Sequence, residues 1–180
     1  NNKELQLPDE ELERQMYWYV KNTLELKGYS HYEISNFAKK GKESKHNLNC
    51  WEQKEYIGLG LAAYSYLNGV RYGNTSNIEE YINVQDFFNR SELEESDIRI
   101  VDEVQTLEDK RKEYMLLGLR KIEGVSIQKF KEKFVENPIF LFRKELEKLV
   151  NEELIAIDGD CIRLTNKGLD LANIVWEEFV

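Results

Sequence analysis

Apolar residues recur at helical spacing from the start of the chain. Leu7-Pro8-Asp9-Glu10-Glu11 has the proline and the acids of a helical first turn. Leu12, Met16, Tyr19, Val20 and Leu24 then share one stripe up to Gly28, a C-cap glycine. Residues 29–37 are β-branched and aromatic in part and read as a strand, so the opening is one αβ step. A loop over 39–45 turns at Gly41. Residues 57–67 read as a further strand whose glycines mark a bulge or a close backbone approach. Asn68-Gly69 is a hairpin turn into Val70-Arg71-Tyr72, and Ser76 with Glu79 predicts a capping box for a short helix over 78–82.

Residues 83–105 are acidic and weakly patterned, with 91–97 linker-like, which predicts a boundary between a region 1–82 and a region 106–180. In the latter, Thr106 and Asp109 cap a helix carrying Met115, Leu116, Leu119 and Ile122, stopped at Gly124. Ser126 caps a shorter helix with Ile127, Phe130 and Phe134. Asn137-Pro138 starts a third with Ile139, Phe142, Leu146, Leu149 and Val150 on one face. Residues 154–157, the Asp158-Gly159 turn and residues 161–164 predict a two-stranded wing. Thr165 caps a last helix bearing Leu169, Ala172, Val175, Trp176 and Phe179. Three helices, a hairpin and a helix predict a winged-helix-like domain, within an α+β fold class.

Composition narrows the function classes. With 41% apolar and 33% charged residues in 180, the chain suits one or two small domains with cores of their own. No apolar run reaches bilayer-crossing length and no secretory leader is visible, so a cytoplasmic location is expected. Cys50 and Cys161 form no CxxC-type pair and are expected as reduced thiols. The net charge of −9 argues against a nucleic-acid partner. So does the third helix of the second region, where Arg143, Lys144 and Lys148 alternate with Glu145 and Glu147 as a mixed solvated face.

Candidate chemistry concentrates in residues 31–74, which hold both histidines, Cys50 and a high density of Asn, Gly and Tyr. The word His46-Asn47-Leu48-Asn49-Cys50-Trp51 follows a basic loop. On residue types alone, His46 is either a loop histidine hydrogen-bonded locally or a metal ligand. His31 has no Cys, Asp or second His at metal spacing and reads as a strand-edge histidine. Gly58-Leu59-Gly60-Leu61-Ala62-Ala63-Tyr64-Ser65 lacks both GxGxxG spacing and a GK[ST] ending, so it is no phosphate loop.

The words Tyr32-Glu33-Ile34-Ser35-Asn36-Phe37, His46 to Trp51 and Gly58 to Ser65, in this order, resemble the carboxy-terminal part of the radical S-adenosylmethionine haem chaperones, long grouped with the oxygen-independent coproporphyrinogen III oxidases. The resemblance runs over essentially the whole chain. It implies that residues 1–82 are the end of a partial TIM-like radical-SAM barrel, and that residues 106–180 are an appended winged-helix-like cap. It also implies a haem cofactor, with His46 as iron ligand and Trp51 packing on the porphyrin face. Where the family writes His-Asn-x-x-Tyr-Trp this chain has Cys50 for the tyrosine. A thiol there assists His46, competes with it, or is a small buried hydrophobe. Tyr64 replaces a family histidine and either binds iron, stacks or packs. Glu33 and Asn36, near a strand end that would face a barrel mouth, are pocket candidates. The [4Fe-4S] cluster and S-adenosylmethionine are implied for a longer parent protein, since two cysteines cannot supply three cluster ligands, and no catalytic residue is expected in this chain. An exposed half barrel is expected to favour a homodimer. Three functions follow: haem binding and transfer; oxidative decarboxylation of coproporphyrinogen III to protoporphyrinogen IX; or a winged-helix interaction module with no tetrapyrrole role.

Overall fold

The computed structural model describes residues 7–83 and 99–180. The linker-like residues 91–97 lie outside the described residues. Helix α1 (Glu10–Leu26) starts at Asp9, whose carboxylate accepts from Leu12 N at 2.8 Å. Glu10, Glu11 and Glu13 sit where they offset the dipole. The expected stripe is not what packs: Leu12, Met16, Tyr19 and Val20 are all exposed. Contact runs instead through Tyr17, which donates to Ile34 O at 3.3 Å, and Trp18, whose Nε1 donates to Asp170 at 2.8 Å. Both side chains bury an aromatic body while giving a polar tip a partner, a preference that a count of aliphatic positions does not see.

Residues 29–37 are not one strand. They form a tight hairpin, β1 (Ser30–Glu33) against β2 (Asn36–Ala38), turning at Ile34-Ser35. The other edge of β1 reaches the second region: Ile34 N donates to Arg120 O at 3.0 Å, and Ile122 N to Tyr32 O at 3.2 Å. Helix α2 (Lys45–Trp51) follows, capped by Ser44, whose Oγ accepts from Asn47 N at 3.3 Å. Of the strand expected over 57–67, only β3 (Tyr64–Leu67) forms. The preceding residues are a loop, because Gly60 has φ +108° and a Cβ on Gly58 would sit 2.0 Å from Tyr64 O. Asn68 and Gly69, at φ +53° and +79°, make the expected turn into β4 (Val70–Asn74). Helix α3 (Ile78–Asn83) is capped by Asn77 rather than Ser76, since the Asn77 Oδ1 accepts from Glu79 N at 3.0 Å and Glu80 N at 3.4 Å. Within the segment 83–105, β5 (Arg99–Val104) adds to β4, giving the antiparallel order β3-β4-β5.

In the second region α4 (Leu107–Gly118) carries the predicted Thr106–Asp109 capping box but stops at Gly118, six residues short of Gly124. A Cβ at Gly118 would meet Val125 Cγ2 at 2.5 Å, so the chain leaves the helix where β6 (Val125–Ser126) crosses it. Ser126 caps α5 (Ile127–Phe134) as expected. The third helix divides at Phe142 into α6 (Pro138–Leu141) and α7 (Arg143–Asn151). The last divides at Leu171 into α8 (Asn166–Asp170) and α9 (Ala172–Glu177), each division letting an apolar side chain turn into the core. Where a two-stranded hairpin is predicted the sheet has three strands: β7 (Ile155–Asp158) and β8 (Cys161–Leu164) are joined by β6 in the order β6-β8-β7. Met115, Leu119, Phe130, Leu149, Ile162 and Val175 are fully buried at its centre. The architecture is mixed α+β, and every strand pair among the described residues is antiparallel.

Candidate functional site

Helix α2 gives the His46–Trp51 word two faces. On one, His46 is exposed, its Nε2 3.8 Å from the Cys50 Sγ one turn on. The Tyr56 ring stands edge-on to the imidazole, with centroids 6.4 Å apart. Burial raises the Cys50 thiol above its ordinary pKa, with the Arg71 charge as a smaller opposing effect, so the sulfur faces His46 as a thiol. The two donors lie on the same side of one helix. Were a haem held by His46, the imidazole would supply a nitrogen ligand to its iron, with the Cys50 thiol one turn away on the same side of α2. Cys50 therefore stands as a protonated neighbour of His46.

On the other face Trp51 is taken up by the second region. The Arg120 guanidinium lies 4.5 Å from the Trp51 ring and 4.6 Å from the Trp176 ring, sandwiched between two indoles. Trp51 thus anchors α2 on its face away from the His46–Cys50 contact. The end of the helix is held as firmly. Buried Gln53, at φ +51°, donates to Lys110 O at 3.1 Å and to Glu113 at 2.8 Å. Glu113 also accepts from Gln105 at 3.0 Å and pairs with Arg71, while Tyr66 donates to Gln105 at 2.9 Å. One carboxylate on α4 therefore ties α2 to the β3-β4-β5 sheet.

The remaining predicted residues do not join this face. Tyr64, at 51% exposure, lays its ring across its strand partner Gly73, where a Cβ would lie 3.3 Å from it. Glu33 is fully buried. One of its carboxylate oxygens accepts from Asn36 Nδ2, and the other has no partner. His31 stacks on Phe37 at 4.5 Å, its Nε2 3.1 Å from Ile34 O and 3.3 Å from Tyr17 OH. Burial lowers its pKa. Burial also pushes the Tyr17 hydroxyl up to about 12, helped by Asp170, Glu33 and Glu25. This second cluster underlies a groove of ≈ 1460 Å³ between α1, the Ile34-Ser35 turn and α8, rimmed by acids and lined by Met16, Tyr17, Val20 and Phe37. No sequence-predicted ligand lines that groove.

Sequence reasoning missed Arg120, Trp176 and Glu113. They lie more than 50 residues from α2, and no local pattern marks a cation for stacking or a carboxylate for a distant glutamine. Tyr56 carried a signal, an aromatic five residues after Trp51 just before the Gly58 loop.

The residue chemistry suits a haem: His46 is exposed and carries an imidazole, a common ligand of haem iron, and the loop leaving Tyr56 exposes the apolar side chains of Ile57 (59%) and Leu59 (85%). An iron–sulfur cluster does not fit, because the two thiols stand on α2 and β8. Among the described residues no helix is long and apolar enough to cross a membrane.

Residues 105–171 match the HemN C-terminal domain family. The chain is 38% identical over 176 residues to "Heme chaperone HemW" of Lactococcus lactis, covering 98% of this chain and 44% of that one. It is also 38% identical to the protein of the same name in Bacillus subtilis, covering 98% and 45%. Among solved structures, the radical SAM coproporphyrinogen III oxidase HemN from Escherichia coli superposes with a TM-score of 0.72 over 98% of this chain and 43% of its own. At 16% identity, that likeness is one of fold. The chain spans less than half the length of these curated relatives.

Proposed function

On the premise that this chain is a relative of the heme chaperone HemW proteins, we propose that it is the haem-binding portion of a chaperone that takes up and hands on haem, with His46 as iron ligand. The observation that carries this reading is the open imidazole of His46 on a helix whose opposite face is anchored by Trp51 and whose end is anchored by Gln53. A ligand on a rigid element keeps its geometry while the haem enters and leaves. When bound, haem supplies an iron that accepts the imidazole nitrogen. The chain's own residues do the rest: Trp51 and Gln53 orient α2, Tyr56 flanks the ring, and Cys50 stays protonated beside Nε2.

The order α4, β6, α5, α6–α7, β7–β8 supports reading residues 106–180 as a winged-helix-like cap, and the α1–β1 step supports residues 1–82 as the end of a barrel. The cluster and S-adenosylmethionine would belong to the whole protein. The oxidase reading takes second place, because likeness to the oxidase is one of fold at 16% identity, against 38% to the chaperones over the same length.

The test is a haemin titration of the chain beside His46→Ala, followed at the Soret band. Saturable binding near one equivalent, lost in the variant, is expected. Equal binding in both would remove His46 from the site and the chaperone reading with it.

A further inference from the structure

Residues 39–45 are Lys39-Lys40-Gly41-Lys42-Glu43-Ser44-Lys45, and no other stretch of seven residues in the chain holds four cations. In a protein of net charge −9, such a run contrasts with its surroundings. All four lysines are exposed. Outside the loop, Lys21, Lys54, Lys112, Lys121, Lys129 and Lys148 stand within ion-pair distance of carboxylates and the other described lysines do not. In the loop none of the four does among the described residues, and here the unpaired cations fall within one short stretch. The one acid in the run, Glu43, accepts from the backbone N of Gly41 at 3.1 Å. Lys39 has its ammonium 5.4 Å from the centroid of the Tyr29 ring, which leaves Lys40, Lys42 and Lys45 with neither a carboxylate nor an aromatic partner.

The loop is a built turn. Lys42 N donates to Lys39 O at 2.8 Å, and Gly41 takes φ +76°, where a side chain would be strained. Its far end is fixed to the helix that carries His46, because Ser44 caps α2 and its own N donates to the Tyr32 hydroxyl at 3.4 Å. Lys42 precedes His46 by four residues, so the two backbones stand at most roughly 14 Å apart. A flexible four-carbon stem covers part of that span. The arrangement is therefore an imidazole with loose, unneutralised cations at a short fixed remove.

We infer that the 39–45 loop is a carboxylate-recognition arm of the His46 site, in which Lys40, Lys42 and Lys45 meet the peripheral propionates of the tetrapyrrole whose iron His46 holds. The inference rests on the haem reading above. The chemistry matches in layout: a haem bears its metal at the centre and its carboxylates on the rim, so a protein that reads both needs a ligand and a cation separated by about one macrocycle radius. Exposed cations in an acidic protein also steer an anionic ligand to this face rather than another, an effect that fades as salt shortens the screening length.

The experiment compares haemin with haemin dimethyl ester, whose propionates are capped. The unaltered chain, Lys40→Glu/Lys42→Glu and His46→Ala are each titrated at low and at high ionic strength. Circular dichroism checks the fold, and Lys40→Gln/Lys42→Gln serves as a charge-neutral counterpart. The unaltered chain is expected to prefer haemin. The charge-reversed variant should lose about tenfold for haemin and nothing for the diester, with the neutral variant between. High salt should erode the preference in the unaltered chain only. Equal affinity of the unaltered chain for both ligands, or equal weakening of both in the lysine variants, overturns the carboxylate assignment while leaving His46 dependence standing. Loss of that dependence for both ligands overturns the haem reading itself, and this inference with it.

Discussion

The two regions of this chain bury different things. From Tyr114 to Phe179 the interior is aliphatic and aromatic, with Met115, Leu119, Phe130, Leu149, Ile162 and Val175 fully enclosed. In residues 7–83 the only buried apolar side chains are Ala38 and Tyr66, while His31, Glu33, Gln53, Ser65 and Thr75 are buried there. Apolar residues are not scarce in that region. They lie outside, on α1 and along the loop from Ile57 to Leu61. A region organised this way owes its shape to hydrogen bonds and to its neighbour, and keeps its apolar surface for something else. The second region is a folded anchor, and the first is a surface spread upon it. Helix α2, which carries His46, belongs to the first in sequence and to the second in attachment.

The largest effect expected from this contrast is loss of the anchor. Phe130 packs against Tyr114, Phe134 and Phe142 with ring centroids 4.7 to 6.1 Å apart. Phe130→Ala should cost about 3–5 kcal/mol by urea unfolding. The diagnostic quantity is whether α2 goes with it. If the first region depends on the second, far-UV helix signal and Trp51 emission should fall in one transition, shifted to lower urea. Two separated transitions would show that the first region holds itself together without the second.

That dependence also explains which elements were legible in the sequence. The second region is legible because capping residues Thr106, Ser126, Asn137 and Thr165 and an apolar face at helical spacing are local signals, and a closed core obeys them. Its departures from the pattern are the breaks at Phe142 and Leu171, silent because a broken helix keeps its apolar period, the stop of α4 at Gly118, and the third strand β6, whose pairing with β8 is set by tertiary structure. In the first region, periodicity misled. The stripe on α1 is exposed, and the strand over 29–37 is a hairpin whose outer edge bonds to Arg120 and Ile122. Those partners lie about ninety residues away, where no local rule reaches. For the site, His46 and Cys50 fell together because they are one helical turn apart. Trp51 stacks on Arg120, a partner chosen by tertiary structure that no local pattern marks.

A smaller effect isolates the attachment itself. Arg120→Ala removes the cation from between Trp51 and Trp176 and should cost about 1–3 kcal/mol, two partly desolvated cation–π contacts. Arg120→Lys keeps the charge but not the planar stack, and should recover only part of it. The measurement that separates attachment from general stability is tryptophan emission under native conditions. Both indole nitrogens are buried without hydrogen-bond partners, so releasing them to water should shift emission to the red before any unfolding begins. The haemin titration should then lose definition in step with the shift, since α2 no longer holds His46 in place. An unchanged spectrum with unchanged haemin binding would mean that Gln53 and Glu113 hold the helix alone.

The smallest effect concerns the seam where α1 meets the hairpin. His31 sits there neutral, its Nε2 within reach of Ile34 O and Tyr17 OH, with Glu33, Lys21 and Glu25 as the surrounding charges. Burial lowers its pKa below the ordinary 6.5, and the bond to Ile34 O opposes this only in part. Between the lowered folded value and 6.5 the unfolded chain binds the extra proton and the folded chain does not, so stability rises with pH through that window. The contribution is complete above about pH 6.5 and is lost as pH falls below it through the folded value. His31→Gln keeps a donor for Ile34 O and has no proton to gain. Carboxylates titrate in both proteins, so the quantity to follow is the difference in unfolding free energy between the chain and this variant. That difference should narrow steadily on going from about pH 7.5 to about pH 5. A difference that widens as the solution is acidified would mean that the imidazole at this seam is charged in the folded chain and held by Glu33, whose second oxygen is otherwise unpartnered. A flat difference would mean that folding leaves its proton affinity unchanged; either outcome overturns the burial effect.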